Sequence, residues 1–151
     1  MQPNVTRVIA AGVVGTLVMT AVGVYVAPMM GIPPMNPADM LAGVMGGVAI
    51  GGWAAHLMIG TVLALIYAKV ALPRLPGPAV VRGALFSLAP WLMAQVVMMP
   101  MMGMGLFSGS MTMAVGSLVG HLVYGGVLGA VAGGTTETAG RQSELRGAAA
   151  R

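Results

Sequence analysis

The chain has no cysteine in its 151 residues, which excludes disulfides, thiolate metal sites and cysteine nucleophiles. Charge is almost as scarce. Only 7% of the residues are charged, against roughly 25% in soluble domains. Asp39 is the sole carboxylate before Glu137, so the apolar part of the chain has no carboxylate pair for acid–base work. Ser87, Ser108, Ser110 and Ser117 likewise have no acid partner to complete a nucleophilic set. The glycines of GMGLFSG (103–109) are followed by no basic residue, which excludes a phosphate-cradling loop. These absences predict a protein that is not an enzyme. Although the pI is near 10.4, the basic residues fall between apolar runs instead of along one exposed face, which argues against nucleic acid as a partner.

What the chain does have is uninterrupted apolar sequence. Hydrophobic residues make up 58% of it and the mean hydropathy is +0.92. A bilayer-spanning helix needs about 20 mostly apolar residues. The charge-free intervals after Arg7, between Asp39 and Lys69, and from 83 to 136 hold one, one and two such stretches. The fold class expected is therefore an all-α membrane bundle of four spans, near 8–27, 48–69, 80–99 and 110–133. The apolar start at Val8 runs too far for a cleaved signal, whose apolar region is about 7–15 residues. Pro28 and Pro100 are expected to end spans 1 and 3, and Pro90 to kink span 3. Between spans 1 and 2, Asn36-Pro37-Ala38-Asp39 has the order of a helix start, with a capping Asn, an early Pro and an acid in the first turn. It predicts a short interfacial helix over about 37–46. Residues 1–136 form one domain on this reading, and 137–151 form a small polar tail.

Orientation follows from the basic residues. Arg7 precedes span 1, Lys69, Arg74 and Arg82 lie between spans 2 and 3, and Arg141, Arg146 and Arg151 follow span 4. All seven fall on one side, so both termini are expected in the cytoplasm, with the chain multi-pass in a prokaryotic inner membrane.

The sequence also echoes itself. HLMIGTVLALI at His56 aligns with HLVYGGVLGAV at His121, and PMMG occurs at Pro28–Gly31 and at Pro100–Gly103. Two tandem two-helix units entering from the same side would form a parallel repeat about an axis along the membrane normal. His56 and His121 are the only histidines, and the repeat sets them at one depth. Around them run four-residue stripes of small residues: Gly52, His56, Gly60, Ala64 and Ala68 in span 2, and Ser117, His121, Gly125, Gly129 and Gly133 in span 4. Span 1 has a weaker stripe in Gly12, Thr16, Thr20 and Gly23. Small residues at this spacing let helices approach closely, so Gly52, Gly60, Ala64, Ser117, Gly125 and Gly129 are assigned to helix packing and both histidines to the bundle interior. The stripes do not decide whether spans 2 and 4 pack on each other or stand apart.

Three readings, two of them uses of the histidines, remain open at this point. An imidazole in hydrocarbon needs a partner, and the histidines would then be interhelical glue, bonded to each other or to Gln95, Thr16 or Thr20. Alternatively His56 and His121 are the two axial ligands of a b-type haem, and the protein is an electron carrier. The third reading turns on methionine. Of the sixteen, Met98, Met99, Met101, Met102 and Met104 crowd the segment VVMMPMMGMG (96–105), and thioethers suit Cu(I). Against this, methionine commonly fills irregular gaps in packing.

The segments PMMGIPPMNPADML, WAAHLMIGTVLALIYA, FSLAPWLMAQVVMMPMMGMGLFSG and GHLVYGGVLGAVAG together resemble a family of small four-span prokaryotic membrane proteins of unknown function. The likeness covers most of residues 8–134. It implies the fold and carries no activity across. The function expected is that of a non-enzymatic accessory subunit, in contact with the lipid bilayer and with other membrane subunits or further copies of itself.

Overall fold

The computed structural model describes residues 4–133 and Ala148. Among these residues there are helices and turns and no strand. Four helices are long and apolar enough to cross a membrane: α1 (Val5–Met29), α3 (Ala49–Ala71), α4 (Ala79–Met101) and α5 (Met111–Gly133). The short α2 (Pro37–Val44) lies between the first two. The tail expected over 137–151, with Arg141, Arg146 and Arg151, lies outside the described residues apart from Ala148.

Local chemistry accounts for the starts. Asn4 accepts a bond from the Thr6 amide at 2.9 Å, Asn36 from Ala38 at 3.0 Å, and Ser110 from Met113 at 3.4 Å, each satisfying an amide that the first turn leaves unpaired. Asn36 also donates to the Asp39 carboxylate at 2.8 Å.

The ends correct the expectation that proline stops the first and third long helices. Both continue through the proline to Met29 and Met101. They stop at a left-handed glycine, Gly31 and Gly103, each at φ 77°. The terminal pattern is the same in both. Gly31 donates to Pro28 and Ile32 to Ala27 at the first, and Gly103 to Pro100 and Met104 to Met99 at the second, the paired bonds of a Schellman cap. The proline acts one turn earlier. Its ring would clash with the carbonyl four residues back, at Val24 and at Val96, and both residues sit in the middle of a widened π-type turn, Val22–Val26 and Ala94–Met98. The wider turn makes room for the ring. The helix runs through Pro90 as well and widens only beyond it. Similar π turns close α3 at Tyr67–Ala71 and α5 at Gly129–Gly133.

The helices alternate in direction and pack as two hairpins, α1 on α3 and α4 on α5, joined through a contact of α1 with α5. The small-residue stripes form the seams within the hairpins. A Cβ at Gly12 would press on Ala64 and the backbone of Gly60 and Thr61 at 2.9 Å. A Cβ at Gly83 would overlap the Gly125 carbonyl, and one at Gly129 would overlap the Ala79 carbonyl. Gly52 is covered in the same way by Ala38 and Ala42 of α2. The stripes of α3 and α5 are thus buried against α1 with α2 and against α4, and not against each other. At one end Val8, Ala11, Ala64, Tyr67, Tyr124 and Leu128 form a close-packed core. Arg7, bonded to the Val131 carbonyl, lies at this end, as do Lys69, Arg74 and Arg82. Loops rich in methionine form the other end.

Candidate functional site

Away from that core the hairpins diverge. The body of α3 scarcely touches α4; the two meet where the π turn Tyr67–Ala71 reaches the start of α4, with the Tyr67 and Phe86 rings 5.4 Å apart. The gap above this contact is a cavity of about 530 Å³, within the range of small-molecule sites. Its floor comes from Thr16, Met19, Gly120 and Tyr124 of α1 and α5, and its walls from Ile59, Leu63 and Ile66 of α3 and from Phe86, Ala89 and Met93 of α4. Ile59, Ile66 and Met93 are 41%, 43% and 59% exposed, so they mark an opening on the side of the bundle. Met35, Met40, Met98 and Met102 close the end away from the basic residues. Among the described residues no carboxylate, lysine or arginine lines the cavity.

Both histidines line it. His56, 7% exposed, has Nε2 3.0 Å from the Thr20 hydroxyl. With the one proton of that hydroxyl given to the Thr16 carbonyl, 2.9 Å away, the hydroxyl accepts from the histidine and Nε2 carries the ring proton. His121 has Nδ1 2.8 Å from the Ser117 carbonyl on its own helix. A carbonyl only accepts, so there Nδ1 carries the proton. A neutral imidazole has a single N–H. The remaining nitrogens, Nδ1 of His56 and Nε2 of His121, are therefore bare lone pairs. Among the described residues no buried side-chain nitrogen or oxygen lacks a partner, so both bare nitrogens have open space before them.

The other residues singled out in the sequence divide. Thr20 partners His56, whereas Thr16 donates to the Gly12 carbonyl at 2.8 Å. Gln95 bonds to neither histidine, nor do the histidines bond to each other. Buried in the π turn of α4, it donates to Ser117 Oγ at 3.1 Å and accepts from Ser108 Oγ at 2.9 Å. Ser117, assigned to packing, is thereby also a polar link between α4 and α5. Of the five methionines offered for copper, Met98, Met99 and Met102 face the cavity, Met101 is 77% exposed, and Met104 is not in the lining.

Two contributors were missed in the sequence. Tyr124 crosses from α5 to α3 and donates to the Gly60 carbonyl at 2.6 Å, pinning the hairpins together beneath the cavity. Ser108 follows Phe107 in a turn where both residues are left-handed, at φ 60° and 52°, a conformation that costs about 1–2 kcal/mol per non-glycine residue. The Ser108–Gln95 bond and the Phe107 ring, 6.2 Å from Trp91, hold this turn. A tyrosine among aliphatic neighbours and a serine in a glycine-rich loop carry no periodic signal, which is why neither stood out.

These features define a class: an all-helical protein with four membrane-length apolar helices and a side-opening apolar cavity that presents two imidazole nitrogens. Residues 3–143 match the model of a family of unknown function, DUF6789, and the chain belongs to that family. No curated protein and no solved structure matches it.

Proposed function

We propose that the protein is a non-enzymatic integral membrane protein, an accessory subunit of a larger membrane assembly, and that the cavity between its hairpins is a binding chamber for a small apolar molecule. The observation that carries this reading is the side opening between α3 and α4, rimmed by Ile59, Ile66 and Met93. In a bilayer that opening faces acyl chains, so a lipid-soluble ligand enters without crossing water. The described loops are too short to form a domain of their own, which leaves the helices as the surface for partner subunits or further copies. The one-sided basic residues support cytoplasmic termini in a prokaryotic inner membrane. The matching PMMG caps and π turns, both 72 residues apart, support two copies of one hairpin unit.

Purification from native membranes in mild detergent tests this reading. The expected result is migration in a complex larger than the 15.2 kDa chain with a small molecule bound. An empty chain migrating alone would contradict it.

A second reading, bis-histidine ligation of haem b, draws on the same bare nitrogens. His121 donates Nδ1–H to a carbonyl, the support usual for a metal-ligating ring. His56 has its Nε2 engaged and offers Nδ1. A visible spectrum separates the two readings, since a reduced haem protein shows sharp α and β bands that disappear on replacing either histidine.

A further inference from the structure

We infer that the chamber recognises a neutral ring bearing hydroxyl donors, a phenol or quinol with an apolar tail, and that His56 Nδ1 and His121 Nε2 accept its hydrogen bonds. The inference rests on the reading of the cavity as a lipid-facing chamber. It starts from the accounting of protons. His56 spends its N–H on Thr20 and His121 spends its N–H on the Ser117 carbonyl, so what both rings present to the cavity is an acceptor. The other polar groups on the lining are largely occupied within the protein. The Tyr124 hydroxyl is given to Gly60, Thr16 to Gly12, and Gln95 is bonded at both ends of its amide. A ligand that only accepts hydrogen bonds would leave two buried lone pairs unmatched, and a buried polar group without a partner is costly. A ligand with hydroxyl donors satisfies both.

Charge is excluded by the walls. Among the described residues no carboxylate, lysine or arginine lines the cavity, so an ionic ligand would lie uncompensated in an apolar setting. Shape points the same way. About 530 Å³ is room for a ring and part of a tail, and the side opening gives the rest of the tail an exit towards the bilayer. The methionines on the lining, Met19, Met35, Met40, Met93, Met98, Met99 and Met102, are flexible and polarizable and pack well against an aromatic ring.

The test uses the full chain in lipid nanodiscs, with empty nanodiscs as the reference for partitioning. Two tritiated probes are compared: decylhydroquinone kept reduced, and its dimethyl ether, which has the same ring and tail without donors. The diol should bind saturably and about ten- to thirtyfold more tightly than the ether, the factor for two net hydrogen bonds. Two substitutions then remove the acceptor nitrogens, His56→Leu and His121→Leu. Each should weaken the diol about fivefold and leave the ether unchanged. Equal binding of diol and ether would overturn the inference and leave the chamber standing. Saturable binding of neither would overturn both. Diol affinity unchanged in both variants would remove the histidines from recognition.

Discussion

His56 and His121 occupy equivalent places on two similar stripes, yet the first reaches across to another helix and the second folds back on its own. The difference lies in the helix opposite. In the first hairpin α1 supplies Thr20, whose hydroxyl meets His56 at 3.0 Å. In the second hairpin no hydrogen bond joins His121 to a side chain of α4 among the described residues, and the ring bonds to the Ser117 carbonyl of its own helix. The seams differ in the same sense. Gly60 faces the side chain of Thr16, whereas Gly83 and Gly125 face each other's backbone. The first hairpin is closed partly by polar side chains and the second by direct backbone contact. A similar stripe around each histidine thus does not fix its bond, and in the first hairpin the neighbouring helix supplies the partner.

The sharpest way to break this comparison is to add bulk at the two seams. Gly125→Val should destabilise the bundle by more than ~3 kcal/mol, because the new Cβ meets the Gly83 carbonyl and no side chain can move aside. Gly60→Ala should cost about 1–2 kcal/mol, since Thr16 can rotate away at the loss of its bond to Gly12. Unfolding by denaturing detergent in mixed micelles would read both, and equal losses would remove the distinction between the seams.

Next come the polar links. Tyr124→Phe should lose about 1 kcal/mol with the bond to Gly60. His56→Leu should lose a similar amount, about 0.6–1.7 kcal/mol, the range for interhelical bonds in membranes. His121→Leu should change stability by less than ~0.5 kcal/mol, because its bond goes to a carbonyl of its own helix. If the two histidine variants proved equally destabilising, the contrast drawn here would fail. An effect of opposite sign is expected at Gly43 in α2, where a Cβ would meet nothing within 4 Å. Gly43→Ala should stabilise by about 0.5–1 kcal/mol through helix propensity.

Much of the fold was legible because it rests on composition and period. The four long apolar helices begin and end within three residues of the expected bounds, and Asn36-Pro37 does start a helix, which ends at Val44. The stripes pointed to close packing, and Gly52, Gly60, Gly125 and Gly129 do face neighbouring backbone or side chains at short range. Which helix each stripe meets was not legible, because four-residue spacing gives a face and not its partner. Proline was read as a stop when its effect is a widened turn, since the clash falls on the carbonyl four residues earlier. The cavity itself is a property of hairpins that diverge, and no local sequence pattern encodes an empty space. Tyr124 and Ser108 belong to the same class, as their roles exist only once α3 and α4 stand apart.

The central claim is that the side-opening cavity holds a small molecule. Native mass spectrometry of the protein purified gently from its own membranes tests it most directly, with Ala89→Trp as the comparison, a substitution that plugs the opening from an exposed position on its rim. The account predicts a one-to-one adduct on the native chain that is absent from the plugged variant. A native chain without an adduct, or an adduct that survives the plug unchanged, would contradict it.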